Sequence, residues 1–277
     1  MKRDIENLEP GIGQPRPLTP VTDDPRYIGA TVPRGGIERL TQGLGQYIDD
    51  IELPRMAHVA FWRSPVAHMR IKKIHADAAR AVPGVLLVAD GHDLAKVCKP
   101  WVAVLGHLAG MKSAPQYPLA VDRACWQGEP VVAVVAETRA QAEDALALVM
   151  VDWEELPAAT EMSTALDPST PLIHPELGDN LCFTRSLNVG DVDRVFAEAD
   201  AVAEIDFEFG RHTGVTLEPR AQIAHWNPAE QRLTVYHSFQ APHMMQDLYG
   251  RQFDLPASAI RVVCKDVGGS FGIKVHA

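Results

Sequence analysis

The sequence predicts an α+β protein built in two blocks. Strand-like and helix-like patterns interleave between residues 43 and 157. A stretch without periodicity follows, carrying Pro157, Pro168, Pro171 and Pro175. A second mixed block then runs to Lys265 and ends in Gly268-Gly269-Ser270-Phe271-Gly272. The length, 277 residues, accommodates one large domain or two ordinary ones.

Each element has its own signal. Residues 1 to about 30 carry Pro10, Pro15, Pro17, Pro20 and Pro25 with little pattern, so an extended arm is expected, with order beginning near Tyr27. His58–Arg63 and Met69–Ile74 read as strands, a short helix spans Asp77–Val82 until Pro83-Gly84 stops it, and Val85–Ala89 is a buried strand. Ala124-Cys125-Trp126 and Val131–Ala136, around Gln127-Gly128-Glu129-Pro130, suggest a hairpin-like pair. Thr138 with Gln141 resembles a capping box, opening a helix whose Ala142, Ala145, Leu146 and Val149 recur at helical spacing. Met150–Trp153 closes the block as a strand. In the second block Asp191 caps a helix from Val192 to Ala199, and Ala201–Phe209 alternates as a strand. Gln222–Trp226 and Leu233–His237 form a pair, Pro242–Gln252 is a helix, and Ile260–Lys265 is the last strand.

Composition narrows the function. Hydrophobic residues make up 46% and charged residues 22%, as in a soluble protein with real cores, and the net charge of −10 disfavours nucleic acid or an anionic membrane as the main partner. No apolar run reaches the ~20 residues of a spanning helix, and the charged start has no apolar segment behind it. Cys98, Cys125, Cys182 and Cys264 lie far apart, which suits separate buried thiols in a reducing, cytoplasmic compartment better than zinc or a cysteine-held iron–sulfur cluster.

The glycine turn after the last strand is the leading site candidate, because glycines free the backbone to present N–H groups to an anion or oxo ligand. A phosphate-cradling loop requires Gly-Lys followed by Ser or Thr; here Ile273 separates Gly272 from Lys274, and Val275 follows. Gln240 ends a β-like run and is either satisfied by backbone or a neutral donor that does not titrate. Glu218, Arg220 and His212 are either an acid–base group or, as preferred, a buried Glu–Arg pair fixing the turn at Pro219. His237 and His243 flank Gln240 and either line a pocket or serve the structure.

Taken together, Gly45-Gln46-Tyr47-Ile48-Asp49-Asp50-Ile51, Arg63–His68, Gln127–Ala136, Ala142–Ala145, Gly190–Asp193, Arg211-His212-Thr213, Leu217-Glu218-Pro219-Arg220, Ser238-Phe239-Gln240 and Gly268–Lys274 resemble the molybdenum-cofactor subunit of the xanthine oxidase, aldehyde oxidase and carbon monoxide dehydrogenase family. The resemblance covers about residue 27 onward and implies an arm (1–39), an α/β-hammerhead domain (40–157), a linker (158–180) and the first part of a molybdenum cofactor-binding domain (181–277). It implies that Gln240, Gly269, Ser270, Phe271 and Gly272 contact the cofactor. Phe271, Lys274 and Val275 are expected on the substrate side, and Val275 stands where purine-oxidising members are expected to carry a glutamate. No catalytic residue and no protein metal ligand is assigned, since the family's catalytic glutamate is expected beyond this stretch of chain.

The implied cofactor is molybdenum–molybdopterin, in plain or cytosine dinucleotide form, shared with a complementary polypeptide. Iron–sulfur clusters and FAD are expected on partner subunits. The implied activity is oxidation of aldehydes, N-heterocycles or carbon monoxide with water as oxygen source, by a split or truncated subunit inactive in isolation. The alternative is a non-catalytic assembly module that retains the hammerhead.

Overall fold

The computed structural model describes residues 35–103, 107–210 and 212–275. Most of the expected arm, the onset of order at Tyr27, Arg211, His276 and Ala277 lie outside the described residues. The chain divides into two compact units, Met1–Gln46 and Tyr47–Ala277. In the first, α1 (Ile37–Thr41) follows Gly36, whose φ of 74° a glycine adopts without strain.

The second unit holds both mixed blocks. Its first part runs β1 (His58–Arg63), β2 (Met69–His75), α2 (Asp77–Arg80), β3 (Val85–Asp90), α3 (Gly91–Ala95), β4 (Arg123–Ala124), β5 (Pro130–Ala136), α4 (Arg139–Leu146) and β6 (Met150–Glu155). These strands form two antiparallel sheets, ordered β1-β5-β3 and β4-β2-β6. Strand β5 is central in its sheet, which explains its continuous apolar run: Val131, Val132 and Val134 are all fully buried. They share one core with Met69, Ala124 and Ala145, the last from α4.

The expected hairpin around Gln127–Pro130 does not form. Strand β4 pairs with β2, whereas β5 pairs with β1 and β3. The turn passes the chain between sheets instead, held where Ser64 N–H donates to Glu129 O at 2.9 Å and the Glu129 carboxylate accepts from Cys125 N–H at 2.6 Å. At α4, Thr138 Oγ1 caps Gln141 N–H at 3.3 Å as expected. The Gln141 amide, however, donates outward to Pro83 O at 3.3 Å, pinning the helix to the turn at Gly84.

Residues 158–180 are tied down rather than free. Asn180 Nδ2 donates to Ala165 O at 3.0 Å and Pro171 O at 3.1 Å, and Arg123 reaches Glu176 at 3.2 Å. Beyond them α5 (Val192–Ala197) is capped by Asp191, whose carboxylate accepts from Arg194 N–H at 3.2 Å. The strand expected over Ala201–Phe209 does not form: the segment has no regular secondary structure and joins no sheet among the described residues, and Ile205, Phe207 and Phe209 are 80%, 74% and 81% exposed. An alternating sequence becomes a strand only where a neighbour accepts its ladder, and none of the described strands pairs with it.

The last sheet comprises β7 (Gln222–Asn227), β8 (Arg232–His237) and β9 (Ile260–Val263), with α6 (Pro242–Phe253) between β8 and β9. Strands β7 and β8 are an antiparallel pair, while β8 and β9 are parallel. Met245, Leu248 and Tyr249 of α6 pack with Val235 and Ile260 of the sheet. A parallel βαβ crossover delivers both strands' C-terminal ends to the same side of the sheet. That topology positions the site. No helix among the described residues is long and apolar enough to cross a membrane.

Candidate functional site

Gln240 leaves the end of β8 and the glycine turn leaves the end of β9, so residues far apart in sequence meet. Gln240 N–H donates to Lys274 O at 3.2 Å, and Ser270 Oγ donates to Gln240 Oε1. Holding the amide oxygen this way leaves Gln240 Nε2 outside that bond as a neutral donor. The turn closes on itself through Ile273 N–H to Ser270 O at 3.0 Å and Val275 N–H to Gly272 O at 3.3 Å. Gly269 and Gly272 have φ of 96° and 86°, and Phe271 has φ of 48°, a conformation disfavoured for a bulky residue. Its ring is 75% exposed. Gly214 allows this close approach, since a Cβ there would stand 2.6 Å from Phe271 Cβ.

Lys274 does not face outward as expected of a substrate-side residue. Its side chain is fully buried, with Nζ 2.9 Å from Glu218 Oε2. Val275 beside it is half-buried and apolar. The expected Glu218–Arg220 pair is also replaced: Arg220 Nε donates to Ile273 O at 3.0 Å, whereas Glu218 takes Lys274 as its partner. Glu218 further accepts Gly268 N–H at 2.7 Å and Ile48 N–H at 3.3 Å. Burial pushes the Glu218 carboxyl up, but the Gly268 bond, the Lys274 ammonium and the Ile48 bond together bring it below the ordinary value. The pairing joins residues 56 positions apart and carries no periodic signal. Lys274 on an otherwise uncharged glycine loop was the one trace of it in the sequence.

His237, at the end of β8, is buried with its ring 4.8 Å from that of Phe239. Burial, aided by the Lys274 charge, lowers its pKa to about 4, so it is neutral near pH 7. Its Nδ1 has no hydrogen-bond partner among the described residues. Ser238 Oγ accepts Ala221 N–H at 3.1 Å and donates to Pro219 O at 3.2 Å, fastening the Glu218 segment to β8. His243 is exposed, and among the described residues His212 makes a local contact to Gly210 O at 3.2 Å, so neither joins this group. All four cysteines are unpaired; Cys98 is buried, but Cys182 is exposed, unlike the buried thiol expected there.

Residues 42–157 match the family described as aldehyde oxidase and xanthine dehydrogenase, a/b hammerhead domain, and residues 173–277 match the molybdopterin cofactor-binding domain. The chain belongs to the xanthine dehydrogenase and aldehyde oxidase family. It is 33% identical to the carbon monoxide dehydrogenase large chain of Hydrogenophaga pseudoflava, over 99% of this chain and 33% of that protein. It is 34% identical to the nicotine 6-hydroxylase large subunit of Paenarthrobacter nicotinovorans, over 92% of this chain and 32% of that one. Among solved structures, quinoline 2-oxidoreductase from Pseudomonas putida 86 superposes with a TM-score of 0.82 at 35% identity, over 90% of this chain and 32% of that chain. The chain thus spans about a third of the length of the relatives it matches.

The residues present fit a cofactor of this family's kind in one definite respect. The only cation on the loop, Lys274, is spent on Glu218. The exposed side of the turn, with Gln240 beside it, offers neutral N–H donors on a strained backbone, suited to polar ligand atoms rather than to a bare phosphate.

Proposed function

We propose that this chain forms part of the molybdopterin-binding large subunit of a molybdenum hydroxylase. The observation that carries the reading is the meeting of Gln240 with the Gly268–Val275 turn at one end of a parallel strand pair. When bound, the cofactor would supply the redox chemistry that transfers water-derived oxygen to a C–H bond or oxidises carbon monoxide. The chain's own residues bind and orient. Gln240 donates a hydrogen bond that does not titrate, the Gly269–Gly272 backbone presents its amides, and Phe271 lends a ring on the substrate side. Val275 has no polar atom to hold a heterocycle, which favours carbon monoxide, aldehydes or simple N-heterocycles over purines.

The proposed domains are a hammerhead over 40–157 and the beginning of a cofactor-binding domain over 181–277, in the cytoplasm. The proposed partners are a polypeptide carrying the rest of the molybdenum subunit, an iron–sulfur subunit and an FAD subunit. The exposure of Val202, Ile205, Phe207, Phe209, Val215 and Leu217 supports the first of these, because large exposed apolar side chains suit burial against protein. The same side chains would also serve a non-catalytic assembly module.

Co-expression separates the two. The chain is produced alone and with a polypeptide supplying the remaining two-thirds of a related subunit, and molybdenum and pterin are measured in each. The expected result is metal in the complex, none in the isolated chain, and turnover only when the electron-accepting subunits are added. A complex that forms yet never takes up molybdenum supports the assembly module. Stoichiometric metal in the isolated chain overturns the shared-site reading.

A further inference from the structure

We propose that Glu218 is the positioning residue of the glycine turn, an ionic clamp that fixes the backbone in the conformation presented to the cofactor. The proposal rests on the reading of that turn as the cofactor loop. One carboxylate accepts three donors from two segments, the two ends of the turn and the short 3-10 turn near Ile48. Gly268 N–H at 2.7 Å fixes the entry to the turn, Lys274 Nζ at 2.9 Å fixes its exit, and Ile48 N–H at 3.3 Å ties both to the short 3-10 turn Ile48–Asp50.

The packing is built around this carboxylate. A Cβ on Gly268 would lie 2.4 Å from Glu218 Cβ, so only glycine lets the two segments approach closely enough for the bond. The Lys274 side chain is fully buried and that of Glu218 only 12% exposed, so each charge depends on the other for its solvation. Between the clamped ends lie Gly269, Phe271 and Gly272, the residues in the left-handed region. Strained backbone persists only where its surroundings over-determine it, and the clamp supplies that constraint. Ser238, bonded to Pro219 O and Ala221 N–H, in turn holds the Glu218 segment against β8.

The test is hydrogen–deuterium exchange on the full chain, comparing wild type with Glu218→Gln and Lys274→Arg. Glutamine keeps the size of the side chain and removes its charge. If the clamp is ionic, amides of residues 268–275 exchange at least ~10-fold faster in Glu218→Gln, while those of β5 are unchanged. Lys274→Arg retains the pair and should stay within ~3-fold of wild type. Equal loop exchange in Glu218→Gln and wild type overturns the proposal, as does a uniform acceleration that includes β5, since either makes Glu218 ordinary packing.

Should Glu218→Gln fail to fold, the wild-type chain labelled with 15N-glycine decides. Gly268 N–H should exchange at least ~10-fold more slowly than Gly269 and Gly272, and three equal rates overturn the clamp. A slow loop in a complementary complex that still lacks molybdenum would refute the cofactor reading and leave the clamp itself in place.

Discussion

Strand β5 and the segment Ala201–Phe209 both carry apolar residues in a strand-like pattern, and their fates are opposite. Val131, Val132 and Val134 of β5 are fully buried between neighbouring strands and α4, whereas Ile205, Phe207 and Phe209 stand almost wholly in solvent. Intrinsic preference alone does not account for it, for Val202, Ile205, Phe207 and Phe209 favour strands as the valines of β5 do. The difference is the partner. β5 finds β1 on one side and β3 on the other within the same block, and the later segment finds neither. In β5 the apolar run is continuous, as in a strand covered on both faces; in 201–209 it alternates, as in a strand meant to be covered on one. Each block carries a core, but the second also leaves the alternating apolar side chains of 201–209 exposed.

The sharpest way to break this comparison is to place a charge in each segment. Val134→Asp would bury an unpaired carboxylate in the core and should cost upwards of ~4 kcal/mol, abolishing the cooperative thermal transition. A Val134→Asp chain that melts within a few degrees of wild type would mean that β5 is not the centre of an independent core.

The glycine turn gives the next effect in size. Gly268→Ala places a Cβ against Glu218 and should destabilise by ~1–3 kcal/mol as the clamp is pushed apart. At Gly272 a Cβ meets nothing within 4 Å, so Gly272→Ala should cost only the ~1–2 kcal/mol of its left-handed backbone. Chemical denaturation of both variants checks the order. If Gly272→Ala proves the worse of the two, conformation rather than close packing governs the turn.

How much of this was legible beforehand follows from the range of each interaction. The strands β1, β2, β3, β5 and β6 announce themselves by local pattern, and Thr138 and Asp191 by local capping, because these signals act over a few residues. Which strand pairs with which is a non-local matter, so the turn at Gln127–Pro130 read as a hairpin although it joins two sheets. The nearness of Gln240 to the glycine turn follows from a β–α–β pattern, whose parallel crossover returns the chain to the same sheet end. The Glu218–Lys274 pair had no such guide. The sequence offers Arg220 as the nearer cation, and only the folded turn brings Lys274 inward.

Acid should separate the second block from the first more gently. His237 is held neutral with a pKa of about 4, against an ordinary 6.5. Between those values the unfolded chain binds more protons than the folded one, so stability falls as pH drops through that window and levels off below it. Glu218 acts in the same direction at lower pH. Its folded pKa is depressed, so its contribution is complete above the ordinary glutamate value and is lost as pH falls through the depressed one. His237→Phe should therefore flatten the pH dependence of the second block between pH ~6.5 and ~4 and leave the steeper loss below it, as read by melts across a pH series. An unchanged profile would mean that His237 is already protonated in the folded chain.

The smallest effect on stability is expected where the exposed surface is most apolar. Phe207→Ser removes a large ring, yet that ring is 74% exposed and the segment joins no sheet among the described residues. A side chain that buries little loses little on truncation, so the melting temperature of the isolated chain should stay within ~1 °C of wild type, and solubility should rise. The proposed partner would register the change instead. If Ala201–Phe209 completes its pairing against the polypeptide that supplies the rest of the subunit, removing Phe207 deletes an interface anchor, and co-purification of that polypeptide should fall ~10-fold or more. Val59, on the hammerhead side and also exposed, serves as the control for docking: Val59→Ser should leave co-purification unchanged. Loss of thermal stability in Phe207→Ser would show that the segment already packs within this chain. Unaltered co-purification would show that the partner docks elsewhere, and the contrast between the two apolar segments would then reflect only a solvent-tolerant loop.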